Sequence, residues 1–312
     1  MTTGSTSGTW GSARRLLGFD LTGSAREGAN LGRLLVLPAI AFTAILIIYP
    51  LIVGINTSLH ENVPTLSAPA DFVGLENYTN ALKQPSVGSS AVQTVWYVLL
   101  ALAIEIPAGL AIAALLHRKF RGRGLVMAIL ILPWALPSVV SGVLWRRVFD
   151  PDSGLLNSAL VQLGIISEPH VWLADKGWAT LFIVCVHVWG MLPLVALVFI
   201  AGMQAIPDDV YAASAVDGAT PWKQFRHITL PLLLPSLVVS LVVGTVNAIN
   251  IFDEIYVLNG TALNTRSILM EVYNQTFISG QFAQGLALAI LVAVVTGALA
   301  IAYTLLLRRR TV

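Results

Sequence analysis

Residues 202–235 read GMQAIPDDVYAASAVDGATPWKQFRHITLPLLLP, a polar stretch set between two apolar runs, and the rest of the chain is read outward from it. Pro207 followed by Asp208 and Asp209 suits a helix start, since proline's fixed φ fits a first turn and carboxylates favour the positive end of the helix dipole. A short helix is expected through Ala212, Ala213 and Ala215. Gly218 falls where the chain must turn left-handed past a helix end, a conformation in which a Cβ clashes. Thr220 as N-cap and Pro221 at the first helical position predict a second helix. It carries Trp222, Phe225 and Ile228 at spacings of three, with Lys223, Arg226 and His227 around them. The product is a helix-turn-helix with one arm of small residues and one aromatic, basic arm. That shape suits a cleft on another protein; a helix pair lying on lipid headgroups is the competing reading.

The flanking apolar runs set the fold class. The 312-residue chain is 56% hydrophobic and only 11% charged, with a mean hydropathy of +0.79, whereas soluble domains carry about 25% charged residues. Spans of about 20 apolar residues cross the roughly 30 Å hydrocarbon core. Six runs qualify: 34–55, 92–116, 125–147, 178–203, 230–252 and 283–307. Runs of this length satisfy their backbone in lipid as helices, so an all-α integral membrane protein is predicted.

Lysine and arginine placement orients it. Segments 1–33, 117–124, 204–229 and 308–312 hold 13 of the 18 basic residues, while the opposite loops hold five, together with ten of the sixteen acids. This asymmetry puts 204–229 and both termini on the cytoplasmic side of the cell's plasma (inner) membrane. Residues 1–33, rich in Gly, Ser and Thr, read as a cytoplasmic N-terminal tail, and 308–312 as a C-terminal one. The first apolar run reads as an uncleaved span, since no small-residue cleavage site follows it closely. The formal charge of +2 does not point to nucleic acid, because the basic residues are spread as a topology signal rather than clustered with aromatics.

Several chemistries are excluded. Cys185 is alone, so no intrachain disulfide forms. The five histidines are scattered, with no HExxH and no paired Cys, and no metal is expected. No GxSxG elbow or Cys–His pair suggests an enzyme. No GxxxxGK[ST] phosphate loop occurs, so this chain has no usual cradle for ATP, and a nucleotide-driven motor would be a separate polypeptide.

Polar residues inside the spans are the candidate solute pathway. Glu105 lies within 92–116, and an ionisable group inside a span costs about 2.5–3.5 kcal/mol on insertion scales, so it needs a polar partner or cavity. It reads either as a solute or coupling-ion contact or as a structural bond to a neighbouring helix. His187 and Trp189 lie in 178–203; the first reads as a hydrogen-bonded packing residue or a ligand, the second as packing or a stacking face for a sugar. Ser240, Gly244, Asn247 and Ile251 share one helix face, with Asn250 three beyond Asn247. Sugars need amides and hydroxyls to replace their water hydrogen bonds, which makes this stripe a solute contact; helix–helix bonding is the other reading. Pro133 and Pro137 predict a local bend with freed carbonyls. Arg146 and Arg147 either snorkel to the outer interface or meet a docked protein.

The run Tyr211-Ala-Ala-Ser-Ala-Val-Asp217-Gly218-Ala219, followed by Phe225-x-x-Ile228-Thr229-Leu230-Pro231, resembles the EAA loop of binding-protein-dependent ABC importer permeases of the sugar-type or maltose-type branch. Three further stretches are similar to that family. They are Phe72-Val-Gly-Leu-Glu-Asn-Tyr78, Trp145-Arg-Arg-Val-Phe-Asp-Pro151-Asp-Ser-Gly154-Leu-Leu-Asn157 and Ile251-Phe252-Asp253-Glu-Ile255-Tyr256-Val-Leu258. The family's glutamate falls at Ala212, and Asn259-Gly-Thr-Ala-Leu-Asn264 stands where Thr-Gly-Gly-Gly-Pro is usual. The resemblance implies a type I ABC importer permease-like bundle of six spans with a cytoplasmic coupling helix. It implies ATPase-coupling roles for Tyr211, Ala212, Ala213, Asp217, Gly218, Ala219, Phe225, Ile228, Leu230 and Pro231. It also implies an assembly with a second, related permease subunit, two ATPase subunits that carry ATP and Mg, and an extracytoplasmic solute-binding protein. This chain itself would bind no cofactor. The function implied is import of a sugar, with a disaccharide or oligosaccharide favoured. The alternative is a proton-coupled secondary transporter using Glu105 and His187, which needs no ATPase.

Overall fold

The computed structural model of the chain describes residues 36–61, 71–118 and 120–308; the two tails read from the sequence, Arg308 apart, lie outside these. The chain falls into two units, Met1–Asn56 and Thr57–Val312. Among the described residues all regular structure is helical, apart from one isolated antiparallel bridge between His60 and Phe72. Four helices are long and apolar enough to cross a membrane. They are α1 (Val36–Ser58), α3 (Pro85–His117), α7 (Lys176–Gln204) and α13 (Phe282–Arg308), the last apolar as far as Leu305. Two further runs are bent pairs, α4 (Arg123–Ala135) with α5 (Ser138–Val148) at 98°, and α9 (Pro221–Leu232) with α10 (Leu234–Ile249) at 63°. With each bent pair counted as one span, up to six cross. Short helices α2 (Glu76–Lys83), α6 (Leu155–Gln162), α8 (Asp208–Val216), α11 (Asp253–Asn259) and α12 (Ile268–Tyr273) join them.

The departures from the apolar runs have local causes. The second span starts at Pro85 rather than 92, because Gln84 is extended and Pro85 takes the first helical position. Its first turns are polar, and two of their hydroxyls bond within the protein: Ser86 donates to Glu271 Oε1 at 2.8 Å and Ser89 to Pro85 O at 3.0 Å. Hydropathy alone does not register such a start. The run 125–147 is not one rod. Pro137 lacks an N–H and holds Leu136 extended at ψ 138°, so the helix stops at Ala135 and restarts at Ser138 in a new direction. Pro133 stays inside α4. The fifth run is continuous with the helix begun at Pro221, through a π-turn at Phe225–Thr229, and bends at Leu233 between two prolines that each remove a ladder donor. It ends at Ile249 rather than at 252.

Within the larger unit α7 is the central helix; 56% of its most apolar window is buried, against 22% for α3 and 17% for α13. Two apolar clusters stack along it. One contains Ala101, Ile183, Val184, Ala248, Ile255 and Met270; the other contains Ala113, Phe199, Ile200, Met203 and Leu233. A Cβ on Gly109 would lie 2.7 Å from Val195 Cγ1, so the missing side chain is what lets α3 and α7 approach. Between helices in lipid, packing and hydrogen bonds replace the hydrophobic driving force. Gln93 Nε2 donates to Thr180 Oγ1 at 2.9 Å, Tyr97 Oη to Thr265 O at 2.7 Å, and Ile268 N to Thr94 Oγ1 at 2.8 Å. Such bonds average about 0.6 kcal/mol each.

The segment after α5 is held by side chains acting on backbone. Asp150 accepts from the backbone and hydroxyl of Ser153 and from the backbone of Asp152, and these donors hold its carboxyl below the usual range. Asn157, 3% exposed, makes four bonds: Nδ2 donates to Pro151 O and His170 O, and Oδ1 accepts from His170 N and from Trp172 Nε1 at 2.7 Å. Asn157→Ala strips these partners together. It is expected to destabilise the protein by about 2–4 kcal/mol, read as a lower Tm in detergent by tryptophan fluorescence. An unchanged Tm would show that the loop is held elsewhere.

Candidate functional site

The helix pair at 207–229 is built by its caps. α8 begins at Asp208, with Pro207 just before it in an extended conformation rather than inside the first turn. At its other end Gly218 has φ +76°, Ala219 N donates to Ser214 O at 2.9 Å and Gly218 N to Ala215 O at 3.1 Å, a Schellman closure. Thr220 caps α9, its hydroxyl accepting from Lys223 N at 3.4 Å. Side chains then clamp the two arms. Tyr211 Oη and Thr229 Oγ1 are 2.9 Å apart, and Gln224 Nε2 donates to Ser214 Oγ at 2.9 Å and to Tyr211 O at 3.3 Å. Ser214 and Gln224 were not singled out in the sequence, because their partners come from the opposite arm.

The outer surface of the pair mixes small and apolar residues with charged ones, Asp208, Asp209, Lys223 and Arg226 among them. Ala212, Ala213, Ala215, Asp217 and Gly218 are exposed, and Val216 and Trp222 are 88% and 68% exposed. Trp222 stacks on Phe225 with ring centroids 5.7 Å apart. Ala219, Phe225 and Ile228 are half-buried, while Leu230 and Pro231 are exposed and carry α9 toward its bend.

The second region is a cavity of about 430 Å³. The 98° break at Pro137 presents Trp134, Ser138 and Ser141; α7 presents His187 and Gly190. The end of α10 presents Asn247 and Asn250, and Phe252, Asp253 and Glu254 follow at the start of α11. One N–H of each asparagine is held by the carbonyl four residues back, Val243 O and Val246 O, at 2.9 Å. Burial, and then the neighbouring Glu254, push the Asp253 carboxyl above the usual range, against a hydrogen bond with Ser138 that lowers it.

From the wall a chain of ionisable groups runs back to the buried Glu105. His187 Nδ1 is 3.2 Å from Glu254 Oε1, and His187 Nε2 is 3.7 Å from Glu105 Oε1. Neither Glu105 oxygen has a hydrogen-bond partner among the described residues. A Cβ on Gly244 would come within 3.0 Å of Glu105 Oε2, so that glycine makes room for the carboxylate. Of the residues picked from sequence, Asn247, Asn250 and His187 line the cavity. Ser240 and Glu105 are fully buried off its wall, with Gly244 against Glu105. Trp189 is also off the wall, edge-on to Trp145 at 5.7 Å. Arg146 donates to Val257 O at 3.0 Å, which ties α5 to α11, and Arg147 is a charge neighbour of Asp150. Asp253 and Glu254 went unmarked in the sequence as site residues; their signal was two adjacent carboxylates directly after the asparagine stripe. Among the described residues no group of three His, Cys, Asp or Glu is placed to hold a metal.

Residues 105–312 match the profile of the family described as the binding-protein-dependent transport system inner membrane component. The trehalose/maltose transport system permease protein MalF of Thermococcus litoralis is 36% identical over 277 residues, covering 88% of this chain and 92% of that protein. The trehalose transport system permease protein SugA of Mycobacterium tuberculosis is 31% identical over 276 residues, covering 88% and 87%. The fold is shared with the crystal structure of a bacterial ABC transporter involved in import of the acidic polysaccharide alginate, at TM-score 0.78 and 21% identity over 93% of this chain and 98% of that one. The apolar helices, their two sharp breaks and the helix pair between them are thus those of a type I ABC permease, and the chain belongs to the binding-protein-dependent inner membrane component family, a non-catalytic ABC-importer permease subunit related to the sugar-type permeases.

Proposed function

We propose that this chain is one of two permease subunits of an ATP-driven, maltose-type importer that carries a sugar, with a disaccharide or oligosaccharide favoured, inward across the plasma membrane. The observation that carries this is the cavity wall, which combines the amides and hydroxyls of Asn247, Asn250, Ser138 and Ser141 with the rings of Trp134 and Phe252. A sugar has that double character, hydroxyls that need replacement hydrogen bonds and C–H faces that pack on aromatic rings. The volume of about 430 Å³ falls in the range of small-molecule sites. The relatives named for trehalose and maltose support the same class.

The helix pair serves as the coupling element. With both termini and 204–229 cytoplasmic, Tyr211, Ala212, Ala213, Asp217, Gly218, Ala219, Phe225 and Ile228 meet a groove of a separate ATPase subunit, and Leu230 and Pro231 pass the motion into α10. Work enters only through contacts that differ between the motor's nucleotide states. Since Ala212 stands where the family has glutamate, Asp208, Asp209 and Asp217 are the carboxylates of this pair. The assembly comprises this chain, a second and related permease, two ATPases holding ATP and Mg, and an extracytoplasmic solute-binding protein.

The test is uptake of labelled trehalose, maltose and lactose by proteoliposomes holding the complete complex and its binding protein. Uptake is expected to require ATP and to survive a protonophore. The buried contact between His187 and Glu105 is what a proton-coupled carrier would use; uptake that persists without ATP and collapses with the proton gradient overturns the ATP-driven reading in its favour.

A further inference from the structure

We infer that the Asp253–Glu254 carboxylate pair makes the cavity an anion filter, restricting the solute to glycosides that carry no negative charge. This rests on the sugar-importer reading above and deepens it. Both carboxylates lie on the same wall as Asn247 and Asn250, directly where α10 gives way to α11. The cavity is built independently of them: the bend at Pro137 supplies its hydroxyls, and His187, 5% exposed, stands in its wall with Nε2 lacking a hydrogen-bond partner.

Among the described residues no lysine or arginine lines this space. Its basic group is His187, engaged by Glu254 at 3.2 Å and facing Glu105 at 3.7 Å. Even as an imidazolium it offsets one carboxylate, Glu254, and leaves Asp253 uncompensated on the wall. Arg146, the guanidinium hydrogen-bonded to α11, is bound to Val257 O farther along that helix. A solute carboxylate or phosphate about 6 Å from one uncompensated carboxylate, at an effective dielectric near 20, loses roughly a hundredfold in affinity. Neutral hydroxyls suffer no such loss, and a carboxylate accepts hydrogen bonds from them. The fold does not impose this polarity, since the importer of an acidic polysaccharide shares it.

The experiment uses the permease–ATPase complex in nanodiscs without the binding protein, so that the membrane cavity alone is read. Saturation-transfer NMR measures Kd for trehalose, maltose and lactose, and for each of their uronates, in which one CH2OH is replaced by a carboxylate of nearly the same size. The wild type is expected to favour each neutral sugar over its uronate by at least tenfold. Asp253→Asn/Glu254→Gln is expected to shrink that ratio by at least tenfold, Asp253→Asn alone to shrink it in part, and Glu254→Asp to keep it. Equal affinities in the wild type, or a ratio unmoved in the double and single variants, overturns the filter and leaves the sugar reading standing. Failure of all three neutral sugars to bind the wild type overturns the sugar reading itself.

Discussion

Gly218→Pro is expected to reduce solute uptake to background while the chain inserts into the membrane and keeps its helix content. Gly218 has φ +76°, and proline is locked near −65°, so the turn between α8 and α9 cannot survive the change. The substitution also removes the N–H that donates to Ala215 O at 3.1 Å. The local cost is about 3 kcal/mol or more, and it is confined to an exposed turn. What it breaks is the relation between the arms, because the contacts of Tyr211 with Thr229 and of Gln224 with Ser214 need the turn intact. Gly218→Ala separates strain from shape: nothing lies within 4 Å of its added Cβ, so its cost is the left-handed conformation alone, about 1 kcal/mol, and partial uptake is expected. Asp217→Lys should abolish uptake by another route, since Asp217 is exposed and its charge is available to a partner surface. Circular dichroism and labelled-solute uptake in proteoliposomes check all three. Full uptake by Gly218→Pro would remove the helix pair from the coupling path.

His187→Leu is expected to destabilise the protein by about 1–3 kcal/mol, because it leaves the buried Glu105 carboxyl and its neighbour Glu254 without the imidazole that both face. Glu105 has no exposed surface and no hydrogen bond among the described residues, and it faces the His187 imidazole at 3.7 Å. Glu105→Leu/His187→Leu should recover most of the loss, because the double change takes the orphaned carboxylate out of the interior. Glu254, which keeps 12% exposure on the cavity wall, can hydrate when His187 is gone. Denaturant midpoints in detergent for the wild type, both single variants and the double variant give the coupling energy, expected to exceed about 1 kcal/mol. Strict additivity would show that the two residues do not stabilise each other, and Glu105 would then need another explanation.

The polar stripe on α10 marks where sequence reading stops. The spacing of Ser240, Gly244 and Asn247 puts them on one face, with Asn250 adjacent, and the helix is observed. One face, however, passes several neighbours along its length. Gly244 lies where α3 packs close, against Leu102 and Glu105, and Ser240 is fully buried, so there the stripe is a seam; only Asn247 and Asn250, at the end of the helix, open onto the cavity. Pro137 is similar. A bend is legible from the residue, whereas 98° is not, because the new direction is chosen by what α5 packs against: Gly142 lies against Val257, and Arg146 holds the carbonyl of the same residue.

Taken alone, the amino-acid order determined everything set by short-range rules or by bilayer thickness: helical class, the apolar runs, the caps at Thr220 and Gly218, the motifs that carry the family resemblance. These depend on φ and ψ preferences, on missing N–H groups and on the length needed to cross hydrocarbon, all of which act within a few residues or one span. Tertiary packing alone decided that His187 meets Glu254, 67 positions away, and Glu105 on a third helix, and that two unmarked carboxylates stand in the wall of the cavity. The reason is that a side chain's electrostatic surroundings are made by whichever helices pass beside it, and no periodicity along one helix records which neighbours those are.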